Sequence, residues 1–370
     1  MRIGLLTTYS FNYGSYHQAI SLQKKLQDMG YECELINEKI KMFRWFSLFC
    51  MYTINPFLPD RIKQKIADKI PQYNSFLKIQ NDTKDLEISP RWSASKLSKR
   101  YDCILVGSDE LWSASRESIP FFPEYFGYKW KCPLISYGTC AIKLNPKNKR
   151  LFYKVKKGLA RFKAISVRDS ISLKNVKAII NKKEISFVLD PTMLYPFFIE
   201  KDNKINDSER YVLLYGQHYS EKQKQYIMEF AKKEQAHIYS VGWKQEWGSK
   251  FIDVTTAKEL QRMFAKAMFC FPSTFHGTIF SILNHKQFLA MLNPIRGKKV
   301  ELLLKQFHLE NRIFENLNRK DKLEPIDYHI VEKEIETWRK ESEKYLEKAL
   351  ETVKITGKEK HDKKRKNKNR

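Results

Sequence analysis

The first eight residues, Met1 to Thr8, are a short apolar run of the kind that fills a buried strand. After the loop "YSFNYGS", apolar residues fall at 19, 20, 22 and 26. That is the spacing of one helix face and predicts a helix from about Tyr16 to Met29. Gly30 follows as a natural C-cap, and "YECELIN" reads as a second strand. Strand, loop, helix, glycine, strand is a βαβ opening, which requires a parallel sheet. The pattern recurs in "YDCILVGSDE", "CPLISYGT", "FKAISVRDS" and "EISFVLDPT". Each of these strand-like runs ends in polar residues: Gly107-Ser108-Asp109, Tyr137-Gly138, Arg168-Asp169 and Asp190-Pro191. In open α/β sheets, ligands lie beyond the carboxyl ends of strands.

A break follows at "PFFIEKDNKINDSER", Pro196 to Arg210, which is polar and aperiodic and reads as a linker. A second regular series then begins with the strand "YVLLYGQ" and runs through "HIYSVGW" and "MFCFPS" to "KQFLAML", with helical stretches between. A long polar helix closes the pattern, with an apolar stripe at Ile335, Trp338, Tyr345, Leu346 and Leu350 that predicts packing across the body. The expected fold is α/β. It has Rossmann-like domains at 1–195 and 210–325 with a cleft between them, a C-terminal helix at 328–353 and a basic disordered tail at 354–370. No repeat of solenoid period is present.

Composition adds one unusual feature. The chain has 370 residues, 42% hydrophobic and 30% charged, as expected of a globular protein with room for two domains. Its formal net charge is +26. The end, Lys354 to Arg370, holds nine Lys/Arg against two Asp/Glu, a local +7, so the remainder still carries +19. Such a balance fits acidic partners, whether a phosphorylated substrate, an anionic membrane surface or nucleic acid. It equally fits a lysine-rich solubilising surface with a disordered tail. Against nucleic acid, the sequence has no RRM, helix-turn-helix or zinc pattern, and its basic residues are spread.

The six cysteines lack CxxC spacing and sit largely in apolar runs, which points to buried thiols in a reducing compartment. No signal peptide and no apolar span of transmembrane length are evident, so a cytoplasmic location is expected. The stretch Met42 to Pro59 is too broken to span a membrane. Its aromatics, bordered by Lys41 and Arg44, suit either a membrane interface or a place in the core or a lid.

Candidate chemistry gathers at the strand ends. His276 stands where an apolar strand gives way to an apolar helix, with Ser273 and Thr274 before it and Gly277 after it. The helix start offers backbone N–H groups and a positive dipole end to an anion, and the glycine lets a substrate approach. The other reading of His276 is a bonded core histidine. Asn12, Tyr13 and Gly14 form a loop able to wrap a ligand, or a plain βα turn. Ser108 and Asp109 could bond sugar hydroxyls or cap a helix. Arg168 has the fork for a carboxylate or phosphate, or for an ion pair with Asp169 or Asp190. Arg296, Lys298 and Lys299 in "NPIRGKK" form a cationic loop or solvated surface. No metal-ligand pattern is present, and no histidine pattern supports Cys140 of "YGTCA" as a nucleophile.

Together these residues resemble the polysaccharide pyruvyl transferase family. The pieces are "NYGSYHQAISLQKKLQDMGY", "YDCILVGSDELW", "LISYGT", "AISVRDSISL", "VLDPTML", "STFHGTIFSILNHKQF" and "RGKKVELLLKQFHLENRIF", in the family's order from about residue 9 to 315. The resemblance implies a fold similar to GT-B glycosyltransferases. It also implies transfer of pyruvate from phosphoenolpyruvate onto sugar hydroxyls as a ketal, without a cofactor or metal. His276 would match the general acid and Arg168 a donor-binding arginine. Better-studied members often carry an arginine two residues before that histidine, where this chain has Thr274, so Arg296, Lys298 or Lys299 would have to meet the donor phosphate. The expected acceptor is a cell-surface glycan or its lipid-linked precursor, and the Met42 to Pro59 aromatics and the basic tail suggest that it is met at the inner membrane face. The chemistry fits: protonating the methylene carbon needs a donor near neutrality, and two anionic groups need cations. The alternatives are a nucleotide-sugar glycosyltransferase on the same scaffold and a non-catalytic protein of envelope assembly.

Overall fold

A computed structural model of the chain describes residues 1–9, 12–36, 88–89, 94–113, 123–144, 149–180, 184–199, 209–294, 297–317 and 323–368. The first half is built from β1 (Arg2–Leu6), α1 (Tyr13–Asp28), β2 (Glu32–Ile36), β3 (Ile88–Ser89), α2 (Ala94–Leu97), β4 (Cys103–Gly107), β5 (Leu134–Tyr137), α3 (Lys149–Leu159) and β6 (Phe162–Ala164). Its strands are parallel, in the order β3-β2-β1-β4-β5-β6. The chain starts mid-sheet, steps outward one way, then returns beside β1 and steps the other way. The loops after β1 and β4 therefore open onto one crevice, the switch point of the sheet. Thr8 and Asp109, from those two loops, are joined by a 2.9 Å hydrogen bond.

The run "FKAISVRDS" is not one strand. After β6 the chain leaves the sheet, and β7 (Ser166–Val167) pairs instead with β8 (Ser186–Phe187). Serines make the break possible. Ser166 N donates to Ser136 Oγ (3.0 Å) and Ser166 Oγ to Ser136 O (3.1 Å), so side chains substitute for ladder bonds. The turn aims Arg168 at the crevice. Two short helical segments follow their strands here, α4 (Ser170–Ile179) after β7 and α5 (Pro191–Leu194) after β8.

The second half contains β9 (Tyr211–Tyr215), α6 (Glu221–Lys233), β10 (His237–Val241), β11 (Lys250–Ile252), α7 (Ala257–Lys266), β12 (Phe269–Pro272), α8 (Phe275–Leu283) and α9 (Gly297–Gln306). Its parallel strands lie in the order β11-β10-β9-β12. "KQFLAML" forms no full strand. It contributes single bridges, Phe288 to Cys270 and Ala290 to Ile313.

Each half keeps a buried cluster of its own, and a third, larger cluster is shared between them. Leu5 and Leu22 of the first belong to the same buried cluster as Leu213, Tyr215, Ile279 and Phe280 of the second. Helix α1 explains this. From Tyr13 to Gln23 every residue is buried, including Ser15, His17, Gln18 and Ser21, because the helix is covered on both sides. The last helix, α10 (Tyr328–Lys368), runs on through residues expected to be disordered. Lys, Glu and Arg are strong helix formers, which favours that continuation. Ile335, Leu346 and Leu350 are fully buried, as the apolar stripe predicts. Near its middle, α10 bonds the first half: Leu189 N donates to Ser342 Oγ (2.9 Å) and Tyr345 OH to Ser136 O (2.6 Å). Near its start, Tyr328 OH donates to Ser281 O of the second half (3.4 Å). No helix among the described residues is long and apolar enough to cross a membrane. Met42 to Pro59 lies outside the described residues.

Candidate active site

Two helix caps set the geometry. Helix α1 starts three residues before the expected Tyr16 because Asn12 forms a capping box: Ser15 N donates to Asn12 Oδ1 (2.7 Å), and Asn12 N donates to Ser15 Oγ (3.3 Å). Tyr13 and Gly14 are thus helical rather than loop residues. Helix α8 starts at Phe275 because Thr274 Oγ1 accepts from Gly277 N (3.1 Å). His276 therefore stands in the first turn of α8, not before it. The two helix starts meet. A Cβ added to Gly14 would lie 2.2 Å from His276 Nδ1 and 2.4 Å from its Cγ, so only glycine admits the ring here.

Behind His276 lies a chain of buried charges. The side chain of His276 is 11% exposed, and its Nε2 is buried without a hydrogen-bond partner, 3.7 Å from Asp190 Oδ2. Asp190 caps α5, accepting from Thr192 N (3.0 Å) and Thr192 Oγ1 (2.6 Å). Its Oδ2 takes a short bond from Arg168 Nη1. Arg168 also donates to Ser108 Oγ (3.2 Å) and reaches Asp109 Oδ1 (3.5 Å). The Arg168 guanidinium lies over the Phe275 ring, 4.6 Å from its centroid.

In front of His276 is a cleft of about 340 Å³. Asn12, Asp109 and Glu110 line it from the first half, and Tyr215, Ser273, Thr274, Phe275 and His276 from the second. Gln217, His218, Trp243, Asn293 and Lys299 complete the lining. Lys299 Nζ pairs with Glu110 Oε1 at 2.6 Å. Burial pushes the Asp109 and Asp190 carboxyls up, but the Arg168 charge outweighs it and holds both below their ordinary range. Burial likewise raises Glu110, and Lys299 reverses the sign. Among the described residues, no group of three or more His, Cys, Asp or Glu side chains is arranged to hold a metal ion. Burial pushes the Cys140 thiol up to about 11, so it is not an activated nucleophile.

The model of the polysaccharide pyruvyl transferases matches residues 12–294, most of the chain. The chain belongs to the polysaccharide pyruvyl transferase family. No curated protein sequence matches it. Among solved structures it is similar to Glycyrrhiza uralensis UGT73P12 complexed with glycyrrhetinic acid 3-O-monoglucuronide (9% identity, 98% of each chain, TM-score 0.52). It is also similar to Arabidopsis thaliana UGT89C1 complexed with UDP-L-rhamnose (11% identity, 95% of this chain and 99% of that one, TM-score 0.51). These likenesses show the fold, a GT-B arrangement of two parallel α/β units. Family membership makes the chain a transferase with a polysaccharide acceptor.

Within this pyruvyl transferase, the structure brings Asn12, Asp109, Ser273, Thr274 and His276 to the cleft, and separates other residues that sequence reasoning had grouped with them. Tyr13 is buried and donates to Val254 O (3.1 Å), joining the halves. Gly14 makes room for His276 rather than for a ligand. Ser108 is fully buried, its Oγ donating to Gly138 O (3.0 Å). Gly277 lets α8 pack on Tyr215, whose Cδ1 would be 2.6 Å from an added Cβ. Arg168 lies over the Phe275 ring and is not part of the cleft lining; its Nη1 is taken by Asp190 and its Nη2 faces Asp109 at 3.5 Å. Lys298 is exposed and pairs with Glu301 (2.5 Å), so among the described residues of that segment the cation at the cleft is its neighbour Lys299. Arg296 lies outside the described residues. Thr274, standing where better-studied relatives often have arginine, is spent on capping α8. Sequence reasoning missed Glu110, Gln217, His218, Trp243 and Asn293. The strand-end rule, applied to "YVLLYGQH" and "HIYSVGW", would have found three of them.

Proposed function

We propose that this transferase moves pyruvate from phosphoenolpyruvate to the hydroxyls of a cell-surface polysaccharide or its lipid-linked precursor, forming a ketal. The observation that carries the proposal is a histidine in a helix first turn that lines a cleft together with a lysine and has one ring nitrogen buried. Since Nε2 is buried, Nδ1 is the nitrogen from which a proton can reach the cleft. His276 protonates the methylene carbon of phosphoenolpyruvate, and the central carbon becomes electrophilic. A sugar hydroxyl attacks it, phosphate leaves, and a second hydroxyl closes the ketal. Lys299 and the amino end of α8 hold the donor's anionic groups. Glu110 already occupies Lys299, so the donor displaces a carboxylate rather than meeting a bare cation. Trp243, Gln217, His218 and Asn293 in the lining offer an aromatic face and polar groups, a combination suited to a sugar ring. The reaction calls on no cofactor beyond the donor.

Phosphate release from phosphoenolpyruvate, measured with a panel of lipid-linked or nitrophenyl sugars, tests the proposal. Acceptor-dependent release with a ketal product supports it. Binding of a nucleotide sugar without binding of phosphoenolpyruvate would replace it with glycosyl transfer.

A further inference from the structure

We infer that Asp190 is a positioning residue for His276, holding the ring with its proton on Nε2 so that Nδ1 is the nitrogen offered to the cleft. The inference deepens the proposed pyruvyl transfer and rests on it for its kinetic part only.

Three observations carry it. Nε2 of His276 is buried and unbonded, and the nearest ionised acceptor is Asp190 Oδ2 at 3.7 Å, half an ångström beyond hydrogen-bond contact. A buried polar atom aimed at a carboxylate settles there once protonated. Second, Asp190 cannot turn to another partner. Its side chain is 1% exposed, and Thr192 holds Oδ1 through two bonds. Third, Arg168 anchors Oδ2 and is itself fixed by Ser108, Asp109 and the Phe275 ring. Arg168 therefore reads as the anchor of the carboxylate, not as a donor ligand. Because Arg168 compensates the charge of Asp190, the carboxylate contributes orientation and tautomer more than net field.

The device spans the molecule. Asp190 follows β8 of the first half, while His276 opens α8 of the second. The working tautomer is set only when the two halves are in register. In the reaction the ring starts as the imidazolium, with a proton on each nitrogen; the Nδ1 proton goes to the methylene carbon and leaves the neutral Nε2–H tautomer that Asp190 favours. The proton of the first attacking hydroxyl refills Nδ1, and that of the second departs with phosphate. Nε2 keeps its proton throughout.

Side-chain ¹⁵N spectra of the full-length protein with labelled histidine, His276 being assigned by its loss in His276→Gln, read the tautomer without substrate. A protonated Nε2 and bare Nδ1 in the neutral ring is the expected result; a proton on Nδ1 with bare Nε2 overturns the inference. Kinetically, Asp190→Asn should lower kcat by about 100-fold while leaving KM for phosphoenolpyruvate within about two-fold. An unchanged kcat in the folded variant would reject the catalytic part. Should Asp190→Asn not fold, the wild-type tautomer still decides. If wild type itself releases no phosphate, pyruvyl transfer fails and the tautomer result stands by itself.

Discussion

Gly14 in the first turn of α1 and His276 in the first turn of α8 touch so closely that a Cβ at position 14 would lie 2.2 Å from Nδ1. An alanine methyl would push the ring away or cover its working nitrogen. Gly14→Ala is expected to cut kcat/KM sharply and to cost about 1–3 kcal/mol of stability, typical of overpacking. Steady-state kinetics with a thermal melt check both. Wild-type turnover in Gly14→Ala would mean that the contact relaxes freely.

His276→Ala should lower turnover by about two to four orders of magnitude, the usual loss on removing a general acid, with the circular dichroism unchanged. Near-normal phosphate release by the variant would remove His276 from the chemistry.

Glu110 and Lys299 should have opposite effects. Glu110→Gln frees the ammonium for the donor and is expected to lower KM for phosphoenolpyruvate by about three-fold or more. Lys299→Met should raise it by about ten-fold, or ~1.4 kcal/mol. The two changes moving KM in the same direction would place the donor elsewhere.

The strand-end rule led to the site because it depends on topology, which apolar runs report well. Asp109, Asn12 and His276 were legible for that reason. Side-chain direction was not. Lys298 and Lys299 are adjacent and chemically alike, yet one faces solvent and one faces Glu110, a difference fixed by the phase of α9 against the cleft. For Arg168 the sequence offered a donor anion, Asp169 or Asp190 as partner, and only the packing of the strand ends selects Asp190, 22 residues away. The shared core was hidden for a related reason: the buried serines and glutamines of α1 read as an exposed face until a second half covers them.

His17 gives the fold a pH limit. Its Nδ1 is 2.6 Å from Tyr13 O, and its Nε2 is 3.2 Å from Gln261 Nε2 of the other half. Its ring packs on Phe198 and Phe280. Burial lowers its pKa from 6.5 to about 4. Below the ordinary value the unfolded chain binds a proton that the folded chain refuses. This contribution to stability is therefore full above about pH 6.5 and falls by up to about 3 kcal/mol as the pH drops towards 4. Urea denaturation at about pH 7.5 and pH 4.5 should show a smaller loss for His17→Gln than for wild type. Equal losses would mean that His17 does not control the acid sensitivity.

The basic end bears on where the acceptor is met. With a net +7 in Lys354 to Arg370, the protein is expected to sediment with anionic vesicles at low salt, to detach as salt rises, and to bind less when residues 354–370 are removed. Failure to bind anionic vesicles at low salt would favour a soluble acceptor.

Helix α10 also dictates an order of assembly. Tyr345 closes onto Ser136, 209 residues earlier, and Ser342 onto Leu189, 153 residues earlier. A nascent chain with its first sheet complete still lacks the helix that covers that sheet, and it lacks the half that buries α1. The cleft, lined from Asn12 to Lys299, can therefore form only after the second half has been made. Chains cut short before α10 should present sticky, half-covered sheets to chaperones and proteases rather than a smaller working enzyme.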